Sequence, residues 1–367
     1  METETGAAAF LGEGTARDWE TCDADDVEPV RFAVVGLGWF TRGRALPALA
    51  ASDRCTPGVT VSGDAAKAER VAAECGATAG VTYDEFLDGA ARDAYDAVYV
   101  VTPNALHLEY CRAAAEFGKA VLCEKPLERD AARAAELVDA CADVPLMVGY
   151  RMQTEPAVRR ARELVRAGVV GDPVAIRGHM TQRLLDRIDP NPDQWRLDAE
   201  LAGGGALFDL GIYPLNTARF VLDADPVAVT GNVTSTHDAF DEVDETASFT
   251  VAFPDDVHAQ CLASHNGRHD SGFAVVGTEG RVALRPAFFQ DDDRVLHVSR
   301  GDTETTVRFD RVDQIREEFD YFADRVRSGA RIAADGAHGL VDVHAMEAVY
   351  EASAERAWVD VDVGSEV

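Results

Sequence analysis

The chain has 367 residues, too many for one ordinary domain, so two domains are expected. Its 65 acids against 35 bases leave a net charge of −30, which repels nucleic acid and anionic membrane surfaces and argues against both as partners. Hydrophobic residues make up 47% of the chain, too many for a disordered acidic protein, and no apolar run reaches the ~18 residues of a membrane span.

The bases are lopsided. Lys67, Lys119 and Lys125 are the only lysines, and every other base is arginine. A surface rich in Asp and Glu and poor in Lys reads as halophilic, because concentrated salt screens the self-repulsion of so acidic a chain. In a chain so depleted, each remaining lysine is a candidate for a specific task. The seven cysteines include no CxxC pair and no regular spacing. They read as reduced thiols of a cytoplasmic protein, and no metal site is expected. Residues 1–30 lack the basic segment and apolar stretch of a signal peptide.

In chain order, residues 1–29 form an acidic extension or arm. An apolar strand follows over 30–36, then a helix to about 51, a strand over 58–63 and a helix over 65–74. A short helix is expected at 83–87, a strand at 96–102 and a helix at 107–117. A strand at 120–124, a helix at 129–142 and a strand at 145–150 complete the alternation. Apolar strands alternating with amphipathic helices predict an α/β fold, a doubly wound parallel sheet forming a Rossmann domain over 30–150.

Beyond 151 the texture changes. A helix over 156–167 precedes period-two strands at 174–181, 226–236, 246–253, 258–265, 271–276 and 281–284. Helices over about 313–328 and 338–357 close the chain. Residues 151–367 thus read as an α+β domain for substrate binding and oligomerisation, with a large, open, mostly antiparallel sheet. The far face of that sheet needs a cover, which predicts a homodimer or homotetramer.

Gly36-Leu37-Gly38-Trp39-Phe40-Thr41 ends a strand and opens a helix. The first glycine permits the turn, the second lets backbone approach a pyrophosphate, and the helix N-terminus supplies free N–H groups. Thr41 stands where the dinucleotide fingerprint usually has Gly or Ala. The tip of the second strand reads Ser62-Gly63-Asp64-Ala65-Ala66-Lys67. Ser62 can donate to a 2′-phosphate and Lys67 can balance its charge, with Arg42 a further cation, so NADP is expected. Asp64 keeps NAD as the alternative.

Thr102-Pro103-Asn104-Ala105-Leu106-His107 is a loop at the carboxyl edge of the sheet, where doubly wound folds bind ligands. Lys125 ends the next strand at the same edge, where a lysine needs an anion or a substrate oxygen as partner. Gly203-Gly204-Gly205 lets backbone pass close to something, read as the nicotinamide or the sugar. Asp209 and Tyr213 follow four residues apart, on one side of a helix. Oxidising a carbinol needs a base. Tyrosine, with an unperturbed pKa of about 10, fills that role when a cation such as Lys125 stands beside it.

Together these residues resemble the glucose–fructose oxidoreductase/inositol dehydrogenase (Gfo/Idh/MocA) family from about residue 30 to 357. The resemblance rests on the GLG turn, the TPN-x-x-H loop, Glu124-Lys125-Pro126, Gly149-Tyr150-Arg151, Gln194-Trp195-Arg196 and the GGG…Asp209…Tyr213 stretch. It implies Lys125 as the catalytic lysine, Tyr213 as the acid/base and Asp209 as its supporting carboxylate. It also implies cofactor contacts from Gly36, Gly38, Trp39, Arg42, Ser62, Lys67, Thr102, Asn104, His107, Glu124, Trp195 and Arg196. Many members carry His where this chain has Tyr213. Tyrosine there looks like the sugar-oxidising branch, which implies oxidation of an aldopentose, D-xylose first, at C1 to the lactone with hydride transfer to NADP. Rival readings are another aldose or cyclic polyol, an NAD-using glycosidase of the same family, and a dinucleotide-sensing regulator, which the retained Lys125 and Tyr213 disfavour.

Overall fold

The computed structural model describes residues 17–24, 27–188 and 190–362. Among the described residues two compact units emerge, one from Trp19–Arg151 with Asp313–Val343, the other from residues 17–18, Met152–Val312 and residues 344–362.

The first unit holds a six-stranded sheet. Its strands are β1 (Val30–Val35), β2 (Cys55–Val61), β3 (Ala79–Val81), β4 (Ala97–Val100), β5 (Ala120–Glu124) and β6 (Leu146–Gly149). Their order is β3-β2-β1-β4-β5-β6, and every pair is parallel. The order reverses between β1 and β4, and the crevice outside their carboxyl ends is where such sheets bind ligands. The helices between strands are α1 (Leu46–Ala50), α2 (Ala65–Cys75), α3 (Tyr83–Leu87), α4 (His107–Glu116) and α5 (Ala131–Ala140). Local chemistry sets their ends. Asp64 caps α2, which stops at left-handed Gly76; Thr82 and Glu85 form a capping box on α3; Asp130 caps α5.

The second unit holds a nine-stranded sheet. Its strands are β7 (Pro173–Arg183), β8 (Ala228–Thr234), β9 (Thr246–Ala252), β10 (His258–Ser264), β11 (Asn266–Gly277), β12 (Gly280–Leu284), β13 (Arg294–Arg300), β14 (Thr303–Phe309) and β15 (Val359–Asp360). The order is β14-β13-β12-β11-β7-β10-β9-β8-β15, antiparallel except for the parallel pair β7–β10. Helices α6 (Pro156–Arg166) and α9 (Ile212–Leu222) belong here, with the one-turn α7 (Leu184–Arg187) and α8 (Ala199–Ala202). Inward residues such as Val251, Ala259 and Ile176 are fully buried, while alternate residues such as Leu262 face outward.

Strands β3, β13, β14 and β15 lie outside the expected set. In β14 the sequence Thr-Glu-Thr-Thr-Val-Arg-Phe carries few apolar side chains, as suits an edge strand. A division of the chain at one point also differs from the observed units. Helix α10 (Gln314–Ser328) packs in the first unit, where Phe319 meets the rings of Phe32 and Tyr99 at 5.1 and 5.0 Å. Helix α11 (Gly336–Glu355) follows it. The acidic extension is no free arm over its described part. Trp19 is buried edge-on against Tyr321, its carbonyl accepts from Arg325, and the backbone of Thr21 and Cys22 donates to Asp324. Residues 1–16 and 25–26 lie outside the described residues.

Candidate active site

In the first unit the glycine turn is enforced by packing. Gly36 has φ +102°, and a Cβ there would stand 2.8 Å from the Val101 carbonyl oxygen. Thr41 is fully buried, and its hydroxyl donates to the Gly36 carbonyl at 2.6 Å. The odd fingerprint residue is therefore a clasp on the turn. It opens a π-helical stretch, Thr41–Ala45, a distortion frequent at functional sites. Around Gly38 no described residue beyond its chain neighbours and its own helix backbone would come within 4 Å of a Cβ, so this backbone has room for a ligand. Beside it Trp39 is 54% exposed, and Arg42 is exposed with Glu74 at 3.9 Å.

Just past β2 stand Ser62, Asp64 and Lys67. Asp64 accepts from the Lys67 backbone at 3.0 Å as the cap of α2, so its carboxylate is engaged with the helix. The buried Ser62 hydroxyl accepts from Asp64 N–H at 3.3 Å, which leaves its own proton to donate. The Lys67 ammonium has no ion pair among the described residues, in a chain of net charge −30. A neutral donor and a cation with no ion pair among the described residues suit a phosphate.

The loop after β4 holds Thr102 and Asn104, both nearly buried. Thr102 Oγ1 is buried with no hydrogen-bond partner among the described residues, as fits a group reserved for a ligand. His107 behaves differently from the expectation of cofactor contact. It is wholly buried, with Nδ1 3.2 Å from the Leu127 carbonyl and Nε2 3.1 Å from the Thr102 carbonyl. Burial holds its pKa below the ordinary value, against the pull of Glu128 and the two carbonyls. With no edge left to offer, it ties the loop to the segment beyond Lys125. Glu124 Oε2 accepts the Lys125 backbone N–H at 3.2 Å, and Oε1 accepts the Tyr99 hydroxyl at 2.6 Å. Lys125 itself is half-buried at the carboxyl edge of the sheet.

In the second unit Trp195, Arg196 and Asp209 come together. The Arg196 guanidinium lies over the Trp195 ring at 4.4 Å and 3.7 Å from Asp209 Oδ2. His265, absent from the sequence reading, reaches the same oxygen at 3.7 Å from a buried position stacked on Phe240. Its signal was present: inward-facing Ala259, Cys261 and Ala263 place His265 next on the inner face. Tyr213 is half-buried, its ring 5.9 Å from that of Phe288. Asp209 sits in a π turn, Leu207–Gly211, that leads into α9.

The triple glycine has a different cause from the one expected. A Cβ on Gly204 would meet the Tyr350 hydroxyl at 2.1 Å, and one on Gly205 the Asp244 carbonyl at 2.0 Å. The close neighbours are protein, not cofactor. Asp244 gathers the turn: it accepts from Gly205 N–H at 2.7 Å, Leu207 N–H at 2.8 Å and the Tyr350 hydroxyl at 2.5 Å. Burial and the Asp244 charge together hold Tyr350 protonated far above its ordinary range.

The family model described as "Oxidoreductase family, NAD-binding Rossmann fold" matches residues 30–151, and that described as "GFO/IDH/MocA C-terminal domain" matches 158–283. The D-xylose 1-dehydrogenase (NADP(+)) of Haloarcula marismortui is 50% identical over 358 residues, 96% of this chain and 99% of that protein. The D-xylose 1-dehydrogenase (NADP(+)) 2 of Haloferax volcanii is 33% identical over 90% of this chain and 99% of its own. Among solved structures, the aldose-aldose oxidoreductase from Caulobacter crescentus complexed with glycerol superposes with a TM-score of 0.85 at 28% identity, over 91% of this chain and all of the other. Both halves are matched, and the likeness runs over nearly the whole length: the chain belongs to the GFO/IDH/MocA oxidoreductase family.

Proposed function

We propose that this enzyme oxidises D-xylose at C1 to the lactone with NADP as acceptor. The observation that carries the reading is the β2 tip, where one Asp64 oxygen caps α2, the Ser62 hydroxyl keeps its proton to donate and the Lys67 ammonium has no ion pair among the described residues. It stands with the 50% likeness to a xylose dehydrogenase. Gly36 and Gly38 admit the pyrophosphate to the helix N-terminus, and Ser62 and Lys67 hold the 2′-phosphate. Trp39, Arg42, Thr102, Asn104, Glu124, Trp195 and Arg196 serve the same cofactor. NADP, when bound, supplies the hydride acceptor.

The protein's own work is proton handling. Lys125 donates to the anomeric oxygen and lowers the cost of deprotonation there. Tyr213 takes the hydroxyl proton as the C1–H bond breaks toward the acceptor and the C1=O bond forms. Asp209, held by Arg196 and His265, supports Tyr213. The test is a panel of aldoses with NADP and NAD in molar KCl, followed by NADPH absorbance. Xylose is expected to give the highest kcat/KM, with NADP preferred. No turnover of any aldose would overturn the reading.

The same reading places the enzyme in the cytoplasm, where its seven free thiols stay reduced, and makes it a homo-oligomer through the open face of the nine-stranded sheet. Among the described residues, the outward positions of the nine strands hold three acids, Asp270, Glu304 and Asp360, the first paired with His179 and Arg285. Solvated surface in a chain with 65 acids is acidic, and a face nearly free of them suits contact with a second copy.

A further inference from the structure

One carboxylate of the first unit is wholly buried and takes no part in the chemistry above. It belongs to Glu128, three residues beyond Lys125. A charge so far from water persists only where it is paired and hydrogen-bonded. Its Oε1 accepts from Arg133 Nε at 3.0 Å, from Arg133 Nη2 at 2.9 Å and from the Leu108 backbone N–H at 3.4 Å. Its Oε2 accepts from the Arg129 backbone N–H at 2.6 Å. Arg133 stands in the first turn of α5, and its Nη2 also donates to the Ala105 carbonyl at 2.8 Å.

Ala105 lies in the loop after β4, and Leu108 lies in the first turn of α4 just beyond it. The same loop carries the buried Asn104 and Thr102, whose Oγ1 has no hydrogen-bond partner among the described residues. Its start is tied by His107, whose ring nitrogens lie 3.1 Å from the Thr102 carbonyl and 3.2 Å from that of Leu127. The stretch is thus held at Thr102, Ala105 and Leu108, and every hold runs to residues 127–133, which follow Lys125 in the chain.

We propose that Arg133, fixed by Glu128, is a positioning residue for the cofactor: it keeps the Thr102–His107 loop in its ligand-ready form before NADP arrives, and ties that loop to the segment bearing Lys125. A loop left free would be ordered by the ligand instead, at a loss of affinity. The pair therefore acts on the binding of NADP more than on the bond-breaking step. The proposal rests on the reading of this loop as a cofactor contact.

The test uses the full chain in molar KCl. Arg133→Met keeps the length of the stem and removes every donor, but it strands the Glu128 charge, so Tm falls. The double variant Glu128→Gln, Arg133→Met removes that charge too and keeps an amide oxygen for the Arg129 N–H, so Tm is expected to recover. In both variants, calorimetric titration is expected to show the Kd for NADP raised about tenfold, the worth of one hydrogen bond to a charged group. At saturating NADP, kcat falls less than the affinity. A Kd that returns with Tm in the double variant, an unchanged Kd in either, or a kcat loss as large as the affinity loss would overturn the proposal. Hydrogen exchange of the free wild type needs no variant. Amides over 105–108 are expected to exchange slowly already, and rapid exchange there until NADP is added would also overturn it. A wild type that binds no dinucleotide defeats the reading of function itself, and exchange in the free enzyme still decides whether the pair holds the loop.

Discussion

Asp244→Asn tests whether one buried carboxylate organises the segment that carries Asp209 and Tyr213. In the native protein it accepts three hydrogen bonds at 2.5–2.8 Å from Gly205, Leu207 and Tyr350. An asparagine oriented with its carbonyl in place of Oδ1 keeps Gly205 and Tyr350, as neutral bonds, and turns its NH2 toward Leu207 N–H. Two charge-assisted bonds then weaken by about 1 kcal/mol each, and an orphaned backbone donor adds about 1–3 kcal/mol. The expected loss is on the order of 3–5 kcal/mol. For a unit of about 200 residues, at roughly 2–4 °C per kcal/mol, Tm should fall by roughly 6–20 °C. Circular dichroism melts in molar KCl measure this. Tyr350→Phe removes one bond and should cost about 1–2 kcal/mol, and the double variant should lose less than the sum, because both act on the same carboxylate. A Tm for Asp244→Asn within 2–4 °C of wild type (about 1 kcal/mol) would refute the argument that the carboxylate holds the turn.

Four further outcomes follow from the same geometry. Ser62→Asp puts an acid where the 2′-phosphate is proposed to sit, so the NADP/NAD ratio of kcat/KM should drop at least tenfold; an unchanged ratio contradicts the strand-tip reading. Lys125→Ala and Tyr213→Phe should each lower kcat by about 10²-fold or more, and together by little beyond the larger single loss, as expected for groups that serve one oxygen. Leu262→Glu adds a charge to the open face, and light scattering should report a smaller species; an unchanged mass at low protein concentration would sink the sheet-face dimer. Burial lowers the folded-state pKa of His107, so as pH falls below about 6.5 the unfolded chain takes up the proton first and stability declines. Melts of His107→Gln between pH 7 and 5 should show a weaker pH dependence than wild type, and equal slopes would count against this.

Much of this was legible in the residues. Continuous apolar strands marked the parallel sheet, and period-two strands marked the second one, because each pattern reflects how many faces are buried. Asp64, Thr82 and Asp130 announced helix starts by their side chains. The π turns at Thr41–Ala45 and Leu207–Gly211 left no such trace, since they arise from tertiary constraint on sequences that suit an α-helix equally well. The triple glycine was legible as a close approach, but its neighbours, Asp244 and Tyr350, lie far along the chain.

The placement of α10 has a consequence for biosynthesis. The ribosome delivers Phe32 early, but the rings of Phe319 and Phe322 that cover it arrive only about 290 residues later. At roughly 5–20 residues per second, that apolar face waits on the order of 15–60 seconds for its cover. A nascent chain of this protein is therefore exposed to wrong partners through most of its own translation. Early chaperone engagement is therefore more pressing here than in a protein whose first domain closes on itself.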